Sequence, residues 1–244
     1  MRIVLSLALL SLFASPGMAG EVHVAVAANF AEPAREIARA FAAKGAHRAR
    51  LSFGASGAFH AQIGQGAPFD VFLSADEERP RKLAQEGHGV ASSRFAYAVG
   101  RLALWSREAG RVVGEATLRE GRFDKIAVAN PAGAPYGAAA HQTMAALGLV
   151  AALTPKIVEG TSIGQTFQFV ETGNAELGFV ALAQTIGRGG SMWVVPAHLH
   201  APIRQDAILL TRASDNAAAN AFLDFLKGAE ARAVVARYGY ETPP

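Results

Sequence analysis

The chain has 244 residues, of which 51% are apolar, and its formal net charge is +3. This size and composition support one large domain or two small ones, and they exclude a disordered chain or a membrane bundle. The mild positive charge comes without a lysine or arginine run, so it does not argue for nucleic acid as a partner. Cysteine is absent, which excludes thiol chemistry and cysteine metal sites. An exported protein is still allowed, because a core of this size needs no disulfide.

The first nineteen residues have the pattern of a secretory signal peptide. Arg2 gives a positive start, residues 3–13 are an almost unbroken apolar run, and residues 15–19 end in small side chains. A membrane anchor needs about twenty apolar residues, and this run is much shorter before it meets Pro16. We therefore expect export to the periplasm with cleavage after Ala19. Loss of Arg2, the one charge in this segment, lowers the net charge by one, from +3 to +2.

Strands and helices alternate along the rest of the chain, as judged from the spacing of apolar residues. Strands are predicted at 21–27, 50–53 and 70–74, with helices at 30–41, 59–63 and 79–86. A long extended segment at 95–105 comes next. It is followed by strands at 125–129, 156–159, 178–181 and 192–195 and by helices at 137–147 and 163–171. An extended segment at 207–211 precedes a closing helix at 217–238.

This alternation predicts an α/β fold with mainly parallel sheets. The two long extended segments, near 95–105 and 203–211, could carry the chain into a second lobe and back. We expect two hinged lobes with a cleft between them. Lobe one comprises residues 21–100 and 205–244, and lobe two comprises 101–204. Periodicity alone also allows one continuous sheet.

At four places in the chain, a turn of small, uncharged residues connects a predicted strand to a predicted helix. The four turns are at 28–30, 55–57, 132–137 and 161–164. Each places a helix start at the carboxyl end of a strand, where α/β sheets bind their ligands. The first N–H groups of a helix have no partner within it and lie at the positive end of its dipole, so they attract an anion without any charged side chain. Small residues let the backbone approach closely.

Ordinary capping is the alternative at each turn. Asn29 and Glu32 have the spacing of a capping pair, and Ser162 and Gln165 form the S-x-x-Q version more closely. A single such turn is more often a cap than a binding site. Four of them in one exported α/β chain favour an anion site.

Catalytic and metal sites have weaker support. The seven histidines show no metal-ligand spacing. Asp70 and Asp76 flank a buried strand and could suggest a carboxylate pair for an exported enzyme, although capping of the strand end is the simpler interpretation. Residues 54–57 do not form a nucleophile elbow. Nucleotide-binding motifs are also absent, so the sequence does not favour an enzyme or a bound cofactor.

Six segments together resemble the periplasmic molybdate-binding proteins of ABC transporters. They are AVAANF (25–30), SFGASG (52–57), GAPFDVFLSAD (66–76), PYG (135–137), TGNAELGFVAL (172–182) and KGAEARAVVARYGY (227–240). The resemblance covers essentially the whole mature chain. It implies the type II periplasmic binding-protein fold, whose two α/β lobes close over molybdate or tungstate. It also implies delivery to a membrane permease with an ATP-binding subunit, by a protein that we expect to be a monomer.

The resemblance also assigns the anion donors, residue by residue. The first turn supplies Asn29 with the N–H of Ala28, and the second supplies the hydroxyl and backbone of Ser56. The third and fourth turns supply the backbone N–H groups of Tyr136 and Ile163. All of these donors are uncharged, and no metal other than the oxyanion itself is implied.

One position departs from the family pattern. Several members have a tyrosine just after the Gly-Phe/Ile-Val motif of this strand, which is 178–180 here, and this chain has Ala181 at that position. The Tyr136 hydroxyl could replace it from the opposite side. Because this changes the number of donors, it bears on discrimination against sulfate. A receptor for another oxyanion such as sulfate, or for a small organic acid, therefore stays the alternative.

Overall fold

The computed structural model describes residues 20–45 and 47–243, so the predicted signal peptide lies outside the described residues. In this part of the chain, no helix combines the length and the apolar character needed to cross a bilayer. The strands are β1 (Gly20–Ala27), β2 (His47–Gly54), β3 (Val71–Leu73), β4 (Phe95–Gly100), β5 (Leu102–Ser106), β6 (Ile126–Ala129), β7 (Ile157–Gly160), β8 (Leu177–Ala181), β9 (Ser191–Val194) and β10 (Ile203–Leu209). The helices are α1 (Ala31–Ala43), α2 (Ser56–Gly64), α3 (Glu78–Gln85), α4 (Glu115–Glu120), α5 (Pro135–Ala146), α6 (Val150–Leu153), α7 (Ile163–Glu171), α8 (Leu182–Thr185), α9 (Ala217–Lys227) and α10 (Ala229–Arg237).

The strands form two five-stranded sheets built on the same plan. The first has the order β2-β1-β3-β10-β4 and the second has the order β7-β6-β8-β5-β9. In each sheet three strands are parallel, and the fourth, β10 or β5, is antiparallel to both of its neighbours. The prediction of two α/β lobes is confirmed, with sheets that are mixed. The alternative of one continuous sheet is wrong.

The chain crosses between the sheets near Arg101. The extended segment predicted at 95–105 is in fact two strands, β4 in the first sheet and β5 in the second, which meet at this residue. The return runs from β9 in the second sheet to β10 in the first. Two connections of this kind leave a cleft between the sheets, and the carboxyl ends of the parallel strands face it.

Two further details differ from the sequence-based expectation. The closing helix predicted at 217–238 is broken at Gly228, whose extended backbone (ψ 162°) separates α9 from α10. The helices α4, α6 and α8 have only six, four and four residues, which is too short for an apolar period to show. The remaining predicted elements are present, with ends shifted by a few residues.

Buried apolar residues hold each lobe together and also bridge the cleft. In the first lobe, Phe30 and Phe222 are fully buried in one cluster with residues of β1 and α10. A second cluster joins Ala27 and Ala75, at strand ends of the first sheet, to Tyr136 and other residues of the second lobe. The two lobes therefore pack against each other where the helix starts lie.

Candidate anion-binding site

A small cavity lies between the lobes at the carboxyl ends of the parallel strands. Its volume is about 10 Å³ for the centre of a water molecule, and the atom-free space around it, which includes open solvent, is about 190 Å³. Its lining consists of Ala27, Ala28, Asn29, Gly54, Ala55, Ser56, Ala75, Ala134, Pro135, Tyr136 and Ile163. None of these residues carries a charge. All five residues predicted to bind the anion line this one cavity.

The helix starts meet at the cavity, although they are far apart in sequence. Helices α2, α5 and α7 begin at Ser56, Pro135 and Ile163, and a short 3₁₀ turn at Ala28–Phe30 leads into α1. The Gly57 N–H, in the first turn of α2, donates to the carbonyl that precedes α5, with N and O 2.9 Å apart. Helix starts present N–H groups without partners within the helix and a positive dipole end. The cavity is therefore a focus of positive potential made by neutral groups.

The start of α7 also touches the first turn. A Cβ built at Gly164 would lie 3.1 Å from the Ala28 Cβ, so the two backbones are nearly in contact. Ser162 caps α7 as predicted, because its Oγ accepts from the Gln165 N–H at 3.2 Å. The cap leaves the N–H of Ile163, the first helical residue, for other acceptors.

The Ser56 side chain is held in the lining of the cavity, and its hydroxyl proton remains available for a hydrogen bond. It is 1% exposed, and its Oγ accepts a hydrogen bond from the Ala75 N–H at 2.9 Å. Among the described residues, the Ser56 hydroxyl donates to no partner. A hydroxyl that accepts one bond keeps its own proton to give. Ser56 can therefore donate to a guest in the cavity.

Asn29 does not cap α1. The helix starts two residues later, after the 3₁₀ turn, and Phe30 occupies its cap position without a side-chain bond. The Asn29 Nδ2 instead donates to Gln205 Oε1 at 2.8 Å and to the Tyr240 hydroxyl at 3.0 Å. The Asn29 Oδ1 is buried and has no partner among the described residues. The capping interpretation of Asn29 is therefore wrong.

The Tyr136 hydroxyl also belongs to this buried polar group. Gln205 Nε2 donates to it at 3.1 Å, and the Tyr97 hydroxyl lies 3.1 Å from Gln205 Oε1. Burial raises the pKa of the Tyr97, Tyr136 and Tyr240 phenols well above their usual range. These hydroxyls stay neutral at physiological pH, so the layer beneath the cavity carries no charge.

Sequence reasoning missed Gln205 and Tyr97. Gln205 lies on β10 between two charged residues, Arg204 and Asp206, yet it is completely buried. Its sequence neighbours are those of an exposed strand position, so no local signal marks it as a buried amide. Once buried, it must find hydrogen-bond partners, because an unpaired buried polar group is costly.

The two aspartates that could have served an enzyme are held in ion pairs. Asp70 accepts from Arg212 at 2.7 Å and from the His23 N–H at 2.7 Å. Asp76 pairs with Arg79, whose Nη2 reaches the Ala132 carbonyl of the other lobe at 2.6 Å. Both carboxylates have structural partners, and neither lines the cavity.

A groove leads from Ala28 and Asn29 to the protein surface between α1 and α7. On one side the Arg35 guanidinium lies 4.5 Å from the centre of the Phe53 ring and pairs with Glu32. On the other side Arg188 lies 5.2 Å from the centre of the Phe167 ring and pairs with Glu171. Each lobe thus contributes one arginine to the mouth of the cleft, and each arginine has a carboxylate partner.

Comparison with known proteins agrees with this architecture. The model of a family described as bacterial extracellular solute-binding protein matches residues 22–241. The chain belongs to this family. Among the family's relatives, the molybdate-binding protein ModA of Rhodobacter capsulatus is 51% identical, covering 97% of this chain and 94% of its own length. ModA of Azotobacter vinelandii is 53% identical, covering 94% of this chain and 93% of its own length.

Solved structures place this solute-binding protein in the same fold. The periplasmic molybdate-binding protein of Azotobacter vinelandii superposes with a TM-score of 0.88 at 40% identity, covering 91% of this chain and all of its own. This match confirms the type II periplasmic binding-protein architecture. The sulfate-binding protein SubI of Mycobacterium tuberculosis shares the fold at 13% identity, with a TM-score of 0.77, and covers 91% of this chain and 87% of its own.

Proposed function

We propose that this chain is a periplasmic receptor that captures molybdate or tungstate for an ABC importer. One observation carries the proposal: four helix starts and the Ser56 hydroxyl converge on a single uncharged cavity between two lobes. Two relatives that are about half identical to this chain are molybdate-binding proteins by name, and this supports the choice of anion. Export and delivery to a permease with an ATP-binding subunit follow from the same proposal. We further propose that the receptor acts as a monomer.

The donors are the five predicted residues. Burying a dianion is expensive unless each of its oxygens is hydrogen-bonded. Charge-assisted bonds from N–H and O–H groups contribute roughly 1.5–3 kcal/mol each. About seven such bonds would sustain submicromolar affinity after the costs of association and lobe closure. The seven proposed donors are the first-turn N–H groups at Ala28, Asn29, Tyr136 and Ile163, the side-chain amide of Asn29, and the hydroxyl and N–H of Ser56.

Neutral donors at fixed positions also provide selectivity. Donors spaced for a larger oxyanion cannot all reach the oxygens of the smaller sulfate. Phosphate at neutral pH carries a proton that needs an acceptor, and a site in which every proposed group donates to the anion offers none. Lobe closure, with residues 21–100 and 205–244 moving against 101–204 about the crossings, is proposed to bring the two sets of donors together.

Calorimetry and thermal melts with four anions test this function. We expect molybdate and tungstate to bind tightly and raise the melting temperature, with little effect of sulfate or phosphate. The double variant Asn29→Ala with Ser56→Ala should lose most of the affinity and keep the fold. Ser191→Ala, a serine on β9 that does not line the cavity, is the matched control. Tight sulfate binding without molybdate binding would favour the alternative oxyanion receptor, and unchanged affinity in the double variant would refute the site.

A further inference from the structure

The two lobes touch at two points beside the cavity, and a glycine lies at each point. Gly57 is the second residue of α2 in the first lobe, and Gly164 is the second residue of α7 in the second lobe. Each directly follows a proposed donor, Ser56 or Ile163. The separation of the lobes at these two glycines therefore bears directly on the distance between donors that belong to different lobes.

At Gly57 the contact is between main chains. Its N–H donates to the Gly133 carbonyl of the second lobe, with N and O 2.9 Å apart. A Cβ built at Gly57 would lie 2.9 Å from the Gly133 Cα and 3.2 Å from its carbonyl oxygen. Carbon atoms in contact are normally about 3.5–4.0 Å apart, so a side chain here would force the two main chains to separate. Because the opposing atoms belong to the main chain, they cannot turn aside to make room.

At Gly164 the contact is with the first turn of the first lobe. A Cβ built there would lie 3.1 Å from the Ala28 Cβ, which is rigidly attached to its own main chain. The next atom, Ser162 Oγ, would be 3.6 Å away, which is an ordinary contact. The Ala28 Cβ is therefore the atom that a side chain at position 164 would meet.

We propose that Gly57 and Gly164, which we call the contact glycines, are positioning residues that set how closely the two lobes approach. This inference rests on the proposed function. The contact glycines act through Ser56 and Ile163, because the approach of the lobes fixes the distance between these donors. The opposing chains already touch at one point and nearly touch at the other, so the lobes cannot move further inward to follow the smaller sulfate.

A third donor, Tyr136, is also followed by a glycine, but this glycine has a different role. A Cβ at Gly137 would lie 2.2 Å from the Ala129 carbonyl oxygen, within the same lobe. Gly137 therefore lets α5 pack on its own sheet, and a side chain there would destabilise that lobe. At the contact glycines the nearest atoms belong to the other lobe. Substitution at these two positions should therefore leave each lobe intact.

Alanine at a contact glycine should weaken binding without lowering stability. Neither glycine has a positive φ, and alanine is the better helix former. Without anion the lobes can separate slightly about the crossings, so the melting temperature should fall by less than about 2 °C or should rise. In calorimetry Gly57→Ala should raise the molybdate Kd about tenfold, because several charge-assisted bonds are stretched together. Stopped-flow should show faster dissociation, with the association rate changed less than about twofold, since the added methyl group acts on the closed complex.

Gly133→Ala is the matched control for Gly57→Ala. It adds the same methyl group on the other side of the same contact, but there the nearest atom is the Ala55 Cβ at 4.0 Å. Gly133 does not line the cavity, and its φ is not positive. We expect its molybdate Kd to stay within about twofold of the wild-type value. A loss equal to that of Gly57→Ala would show that the clash is not the cause and would overturn the inference.

A double-mutant cycle tests the contact at Gly164. Gly164→Ala alone should raise the molybdate Kd about fivefold. In the Ala28→Gly background, where the opposing methyl group is absent, the same substitution should change Kd less than about twofold. The proposed donor at position 28 is a main-chain N–H, which this background retains. Equal losses in both backgrounds would show that the added methyl group acts within its own helix and would overturn the inference.

The two proposals can fail separately. If the wild type binds molybdate and alanine at both contact glycines leaves the affinity unchanged, their proposed role is refuted and the receptor function stands. If these variants lose affinity but also melt more than about 2 °C lower without anion, the glycines have a structural role and the inference is again overturned. A wild-type protein that binds none of molybdate, tungstate, sulfate and phosphate refutes the receptor function, and the inference falls with it.

Discussion

Ser56→Ala removes two interactions that can be measured independently. The first is the bond from the Ala75 N–H to Oγ at 2.9 Å, between residues that are 2% and 1% exposed. A buried donor left without its acceptor costs about 1–3 kcal/mol of unfolding free energy. For a domain of this size each kcal/mol corresponds to a melting temperature lower by about 2–4 °C. The second is the hydroxyl bond to the anion, which is proposed to contribute roughly 1.5–3 kcal/mol of binding free energy. At 1.4 kcal/mol per tenfold change, the molybdate Kd should rise about 10- to 100-fold.

Ser93→Ala is the matched control. Its Oγ accepts from the Leu209 N–H, also at 2.9 Å, but it does not line the cavity. Both variants should therefore lose stability in thermal melts without ligand, while only Ser56→Ala should lose affinity in calorimetry. If Ser56→Ala binds molybdate as tightly as the wild type, the assignment of its hydroxyl to the anion is wrong. If both variants lose affinity equally, the effect comes from stability.

Three further predictions concern the hinge, the cleft and pH. Gly100→Ala would place a Cβ 2.0 Å from the Tyr136 hydroxyl, so it should cost about 1–3 kcal/mol of unfolding free energy in urea titrations and weaken binding. Gly64→Ala, where a Cβ meets nothing within 4 Å, should do neither. Arg79→Met removes the bond to the Ala132 carbonyl of the other lobe, and stopped-flow should show molybdate leaving about 3- to 10-fold faster if that bond holds the closed state. The raised pKa values of the buried phenols keep them protonated as pH rises, so calorimetry between pH 6 and pH 9 should show affinity constant within about twofold. A steep pH dependence would point to a titrating group in the site.

The sequence predicted the features that depend on neighbouring residues. The bounds of α7 were predicted at 163–171, and the structure has Ile163–Glu171, because Ser162 gives a capping signal next to a clear apolar period. Each helix start is likewise local, so its ability to bind an anion can be recognised from a few small residues. All five predicted site residues line one cavity for this reason.

Contacts between distant residues could not be predicted. Asn29 bonds to Gln205, which is 176 residues away, and to Tyr240, which is 211 residues away. Nothing near Asn29 distinguishes an amide that caps a helix from one that joins a buried network. The break at Gly228 was missed because apolar spacing continues on both sides of it.

The paired arginines at the mouth of the cleft have a consequence for how solutes arrive. Since Arg35 and Arg188 each have a glutamate partner, the entrance presents little net charge to an approaching dianion. Long-range attraction, which salt would screen, then contributes little to the rate of encounter. Abundant anions such as chloride are therefore not concentrated at the entrance and do not compete more strongly for the site. Discrimination between anions then depends on the fit inside the cavity, and the rate of anion binding should change little with salt concentration.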